Sequence, residues 1–348
     1  MRSAAMRRRK FVGLGLVGAS TLSGLGCASV SLVPIAGKRV EAKVIDENPL
    51  SLLPRGIVIF ENLDATALFA TEIGADIARL VSTVVPLGNE SNFAPTRDVR
   101  RVVGGVYAMQ GVDFCAVVQG TFDVAAIQKA ADARLAAPSG LPLVRTRYSD
   151  YDLYTVGNMG FVLLTPQSLL SGNEIGMRRA LDRMRFSSLE RVIPEWMVTL
   201  AETKDASFVL AGDFGAESVM SSQDGTPRAI PRALAGSAVQ PVLEAAAAQL
   251  PFLSDLRAMR VIGNFKPPGV NLAGALTYGS IDKAQAGAAG LRNTASMAQL
   301  AGFFTSFGMG QSLPPIQTAV SGTDVGFVQP IDTAFAKTLL TLMGGALK

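Results

Sequence analysis

The sequence predicts an α+β fold: two similar halves of largely antiparallel sheet covered by helices. Three observations predict it. Strand-length apolar runs come in pairs with helical stretches between them, the pattern of antiparallel sheets with helices on one face. Residues 116–130 align without gaps on 275–289 with five of 15 positions identical, each segment passing from an apolar strand through Gly-Thr-Phe-Asp or Gly-Ser-Ile-Asp into a helix. A second match sets Gly160-Phe161-Val162 beside Gly326-Phe327-Val328, each read as a late strand before the closing helix. Internal self-similarity of this kind sets the architecture of a chain.

The elements follow in order. Residues 28–54 read as a tether, because Lys38, Arg39, Glu41, Lys43, Asp46 and Glu47 crowd a stretch broken by Pro34, Pro49 and Pro54. A strand over 56–60 opens the first half, 55–190. Leu68, Ile73, Ile77 and Leu80, near helical spacing, predict an amphipathic helix over 65–81. After a polar loop at 86–95, Thr96 can cap a short helix that Gly104-Gly105 ends. Phe114-Cys115-Ala116-Val117-Val118 is a continuous apolar run and reads as a buried strand within 114–122. A helix over 123–135 follows, then a break at Ala137-Pro138-Ser139-Gly140. Two strands flank a turn near 149–152, a third runs over 160–165, and a helix over 174–184 closes the half.

The second half, 191–348, opens with a helix near 195–202 and a strand over 207–213. A polar loop at 221–231 leads into an Ala-rich helix ending near Leu250. Strands over 257–265 and 270–278 precede a long helix of small residues from Asp282. A strand or strand pair over 316–328 feeds a last helix over 334–343. Half of the chain is apolar, which allows a substantial core, and charged residues are only 17%, against about 25% in ordinary soluble domains.

Ahead of the body, Arg7, Arg8, Arg9 and Lys10 precede a weakly apolar run over 11–26 that stops at Cys27. A basic start, a short apolar run and small residues before a processing point form an export signal, here 1–26. The run has 16 residues, short of the roughly 20 that span a bilayer. After Cys27, Pro, Gly and charges interrupt every apolar run before it reaches that length. Arg8-Arg9-Lys10-Phe11-Val12 resembles the core of a bacterial twin-arginine signal; a general secretory signal with a basic start stays open beside it. Cys27, after Gly24-Leu25-Gly26, resembles the lipobox of bacterial lipoproteins. That resemblance implies that Cys27 becomes the lipidated first residue, that 27–54 serves as lipid anchor and tether, and that the protein sits on the periplasmic face of a membrane in the cell envelope. The body is similar in general look to uncharacterised envelope lipoproteins built from such halves.

The formal charge of +4 and the isoelectric point near 9.2 come from the leader. Five of the 32 basic residues and none of the 28 acidic ones lie in 1–26, so the rest of the chain carries 27 against 28, a net −1. No surplus of phosphate-neutralising side chains marks a nucleic-acid binder. Gly13-Leu14-Gly15-Leu16-Val17-Gly18 matches a dinucleotide fingerprint, but an arginine cluster precedes it where a strand is required and it falls within the leader.

The chain has no histidine. This removes histidine-based Ser or Cys triads, the most usual general base near neutral pH and His-containing zinc sites. With Cys27 lipidated, only Cys115 remains, no internal disulfide can form, and Cys115 reads as a small core hydrophobe. Ser280-Ile281-Asp282-Lys283 matches the Ser-x-x-Lys of penicillin-binding proteins and Ser171-Gly172-Asn173 resembles their second motif. The order is reversed, and Lys337-Thr338 is followed by Leu339 rather than glycine, so the third motif fails. The alignment of the halves makes Thr121, Asp123, Ser280 and Asp282 helix-capping residues instead. No nucleotide loop occurs after the leader, and neither a metal nor a cofactor is expected.

One constellation stands out. Arg145, Arg147, Tyr148, Asp150, Tyr151, Asp152 and Tyr154 place three of the five tyrosines within seven residues. If Tyr148, Tyr151 and Tyr154 share a solvent-reachable hairpin with Arg145 and Arg147, they form a partner-contact surface; if not, they cover a core edge. Three functional readings result: a non-catalytic binding or structural module of the envelope, whose partner is a protein; a carrier of an apolar ligand, with Phe303, Phe304 and Phe307 as cavity lining; and a histidine-independent hydrolase using two carboxylates.

Overall fold

A computed structural model describes residues 40–84, 91–107, 113–133, 141–186, 189–214, 251–253, 255–305 and 314–346. The first half contains α1 (Ala42–Glu47), α2 (Pro49–Leu52), β1 (Ile57–Asp64), α3 (Ala65–Phe69), α4 (Glu72–Val84), α5 (Pro95–Asp98), β2 (Val99–Tyr107), β3 (Asp113–Gly120), α6 (Val124–Asp132), β4 (Val144–Tyr148), β5 (Tyr151–Val156), β6 (Met159–Leu163), β7 (Ser168–Asn173) and α7 (Glu174–Phe186). The second contains α8 (Glu195–Ala201), β8 (Phe208–Asp213), β9 (Leu256–Asn264), β10 (Gly269–Tyr278), α9 (Ile281–Thr305), β11 (Gln317–Ser321), β12 (Asp324–Asp332) and α10 (Thr333–Ala346). The fold is α+β.

The twelve strands among the described residues join one antiparallel sheet in the order β11-β12-β10-β9-β8-β1-β2-β3-β7-β6-β5-β4. Its centre is the pairing of β1 with β8, from Ile59 opposite Gly212 to Leu63 opposite Phe208. Outward from that seam the halves read alike: β1-β2-β3-β7-β6 on one side, β8-β9-β10-β12-β11 on the other. The first half then adds β5 and β4, for which the second has no counterpart among the described residues. The Gly-Phe-Val match does not follow this correspondence. Gly160-Phe161-Val162 lies on β6, whereas Gly326-Phe327-Val328 lies on β12, which pairs with β10 as β7 pairs with β3.

Helices cover both faces of the first half, not one. Val103, Val117, Leu170, Val162 and Leu153 share one face, in a core with Phe60, Tyr107, Cys115, the α7 residues Met177 and Leu181, and Met197 of α8. Their chain neighbours Leu169, Phe161 and Tyr154 point the other way, packing with Phe122 and the α6 residues Ile127 and Ala131. Strands apolar on both sides must be covered on both. In the second half Leu276, Tyr278 and Val325 pack against Ala284 and Ala288 of α9. At Gly287 a Cβ would come within 2.3 Å of the Tyr278 ring, so only glycine lets the helix lie this close. The first of these cores takes residues from both halves, including Val209 and Ala211 of β8, so the halves share a core.

Strand ends and helix starts share one device. Asp64 accepts from Ala67 N at 3.0 Å, Asp123 from Ala126 N at 3.0 Å, Asn173 from Gly176 N at 3.0 Å, Ser280 from Lys283 N at 3.3 Å and Asp332 from Phe335 N at 2.8 Å. Each side-chain oxygen satisfies a donor that the first helical turn leaves open.

Three expectations are corrected. Residues 40–54 are not a free tether: Ile45, Leu52 and Leu53 are buried in the first core, and Asp46 Oδ1 accepts from Thr165 at 2.6 Å and Ser168 at 2.7 Å. The helix expected from Thr96 is one turn, with Ala94 as its N-cap and Pro95 at its start; 99–107 is strand β2. Gly104 and Gly105 do not stop a helix but allow close approach, since a Cβ there would sit 2.5 Å from the Ala116 Cβ or 2.2 Å from the Ile57 Cδ1. The segment 65–81 divides into α3 and α4. The loop at 221–231 and the Ala-rich helix ending at Leu250 lie outside the described residues.

Candidate functional site

Cys27, Arg8 and Arg9 also lie outside the described residues. The Arg/Tyr hairpin is β4 and β5, and its register separates the residues expected to act together. Tyr148 pairs with Tyr151 on the face of the first core, while Arg145 pairs with Tyr154 and Arg147 with Asp152 on the other. Tyr151 is 7% exposed and Tyr154 is fully buried, stacked on Phe161 at 5.1 Å between ring centres. Burial pushes the Tyr154 phenol up. Tyr148 is half-buried; its hydroxyl donates to Asp182 at 2.9 Å, and the Arg178 guanidinium lies 4.6 Å from its ring centre. Arg145 links Asp132 of α6, at 2.5 Å, to Asp152, at 2.6 Å. The proposed partner surface is therefore not assembled. Alternation along β5 sends Tyr151 and Tyr154 into cores on opposite faces, and Arg145 fastens α6 to the strand.

The structure offers instead a cleft of about 400 Å³ beside α7, lined by Pro54, Arg55, Arg179, Asp182, Arg183, Phe186, Glu190 and Val192. Its position follows from α7. Asn173 caps the helix, and Met177, Ala180, Leu181 and Met184 bury one side of it, which leaves Arg179, Asp182, Arg183 and Phe186 to the cleft. Arg179 donates to the Arg55 carbonyl at 2.8 Å, reaches Asp113 at 3.4 Å and stacks 5.2 Å from the centre of the buried Tyr107 ring. Arg183 donates to the carbonyls of Ser51, at 3.1 Å, and Glu190. Burial and the Arg55 charge push the Arg183 pKa down. Burial pushes the Tyr107 phenol well up, and its hydroxyl has no hydrogen-bond partner among the described residues. The chain prefigures part of this site: Arg179 and Arg183 stand four apart in a segment expected to be helical. Arg55 comes from 124 positions earlier, and only the tertiary fold brings it there.

A second, smaller cleft of about 340 Å³ is lined by Val40, Glu41, Ala42, Ile45, Tyr151 and Leu164. The side chains of Phe303, Phe304 and Phe307 lie outside the described part of the structure. Cys115 is fully buried, and burial drives its thiol up to about 12, which suits a core residue rather than a nucleophile. Ser280 is a helix cap, and Lys283 is paired with Asp255 at 2.6 Å. Burial raises Glu61 on β1, a carboxylate that lines neither cleft. Among the described residues no cluster of three or more His, Cys, Asp or Glu could hold a metal, and no helix is long and apolar enough to cross a membrane.

No protein-family model matches this chain, and no curated protein matches its sequence. Among solved structures, crystal form III of TP0453 aligns over 85% of this chain and 98% of its own at 12% identity, with a TM-score of 0.47. Crystal form I of TP0453 aligns over 85% and 96% at 12% identity, with a TM-score of 0.44. Likeness at that level bears on neither ligand nor activity.

Proposed function

We propose that this protein is exported, held at the periplasmic face of a membrane by a lipid on Cys27, and acts there by binding rather than by catalysis. The cleft beside α7 supports the reading. It is concave and rimmed by the guanidinium groups of Arg55, Arg179 and Arg183. Replacing Cys27 with serine should move the protein from the membrane to the soluble fraction. Equal membrane association of the two forms would remove the anchor from this account.

The cleft at Val40–Ile45, with Tyr151 and Leu164, favours a second reading, a carrier of an apolar ligand. Leu164→Trp would fill that cleft, and should abolish binding of a fluorescent fatty acid if the protein is such a carrier.

A further inference from the structure

The two edges of the sheet are built differently. In the first half β6 is an inner strand, paired with β7 along one edge and with β5 along the other. Counted outward from the β1–β8 seam, β11 is its counterpart. It pairs with β12 alone, so among the described residues its second edge is open. At the opposite end of the sheet the edge strand is β4, and it carries Arg145 and Arg147. Charged side chains on an edge strand keep other strands from adding to it. β11 has no such guard. Gln317-Thr318-Ala319-Val320-Ser321 contains no charge and no proline, and it pairs with β12 without a bulge. Val320 is 42% exposed. A strand with one neighbour turns a row of its N–H and C=O groups outward, and the group of matching shape is another strand.

We propose that β11 pairs antiparallel with β11 of a second copy of this chain, joining two sheets across a two-fold axis. Only an edge strand can supply the partner, and the described residues offer two. Pairing with β4 of a second copy would bring in Arg145 and Arg147 and would leave a free edge at each end, a head-to-tail contact that does not close. Pairing of β11 with itself closes. Centred on Ala319, it sets Thr318 opposite Val320 of the second copy on the face that α9 covers, and Gln317 opposite its Ser321 on the other face. Neutral pairs with β-branched members stabilise antiparallel strands, and none of these pairs brings like charges together. Arg292 reaches this edge from α9, where it donates to the Thr318 hydroxyl at 2.6 Å. One pair of five-residue strands is a small contact, so the dimer is reversible and dissociates on dilution. The proposal depends on neither cleft and on no lipid.

The test is sedimentation velocity over a dilution series, on the full chain carrying Cys27→Ser so that no lipid contributes. This parent should pass from twice the chain mass to the chain mass as it is diluted. Val320→Lys sets a positive charge on each side of the axis and removes two symmetry-related cross-strand pairs. It should raise the dissociation constant about tenfold or more. Val320→Thr keeps a neutral β-branched side chain and should stay near the parent. Val144→Lys makes the same change at a 48% exposed position on β4 and should leave the dimer intact. Hydrogen exchange of the parent reads the edge without any substitution: protection over 317–321 should rise with protein concentration. A parent that is monomeric throughout overturns the proposal. So does a dimer that survives Val320→Lys, one that Val144→Lys weakens equally, or exchange over 317–321 that ignores concentration.

Discussion

Asn173→Ala should be among the more damaging single changes near the cleft, although Asn173 is not one of the residues that line it. The Asn173 Oδ1 accepts from Gly176 N at 3.0 Å and from Phe114 N at 3.1 Å, and its amide donates to Asp113 at 3.3 Å. The residue is buried. Loss of the cap costs about 1 kcal/mol, and a buried N–H left without its acceptor costs about 1–3 kcal/mol more, for a total of about 2–4 kcal/mol. Asp123→Ala supplies the scale, because Asp123 is an exposed cap with a bond to Ala126 N and should cost about 1 kcal/mol. Urea denaturation of the three proteins should show both midpoints lowered, Asn173→Ala the further, with the slope unchanged. Asn173→Asp keeps the acceptor but sets a second carboxylate against Asp113, so its loss should be greatest at neutral pH and ease in acid. If Asn173→Ala cost no more than Asp123→Ala, the idea that Asn173 fastens α7 to β3 would be wrong.

Two further outcomes follow from burial. The Glu61 carboxyl titrates above the ordinary 4.5 in the fold because burial disfavours its charge. Its contribution to stability is therefore complete below pH 4.5 and is lost as pH rises through the folded value; Glu61→Gln should stabilise the protein at neutral pH, flatten the pH dependence of the thermal midpoint and have little effect in acid. The Cys115 thiol, pushed up to about 12 and fully buried, should resist iodoacetamide in the native protein and react once urea exposes it; prompt native labelling would contradict its placement in the core.

Much of the sheet was legible in the sequence because long apolar runs such as Phe114 to Val118 admit few other states. What was missed had local signals that pointed elsewhere. Thr96 and the Gly104-Gly105 pair imitate a helix start and stop, yet Val99, Val102, Val103 and Val106 are strand formers, and the glycines are explained by Ala116 and Ile57 across the sheet. Strand β7 went unread because Ser168, Ser171, Gly172 and Asn173 dilute Leu169 and Leu170, although it lies between β3 and β6. The charges at Glu41, Lys43, Asp46 and Glu47 hid Ile45, which is buried in the first core. The tyrosine cluster misled for a simpler reason: nearness in sequence says nothing about face, and β5 places Tyr151 and Tyr154 on opposite sides. The arginine cleft shows the reverse, with two of its members visible on one helix and the third supplied by the fold.

The most direct test of the account is the intact mass of the protein extracted from the envelope of cells producing the full chain. The account predicts a chain that begins at Cys27, lacks residues 1–26 and carries acyl mass on that cysteine. An unmodified chain, or one that begins elsewhere, would contradict it.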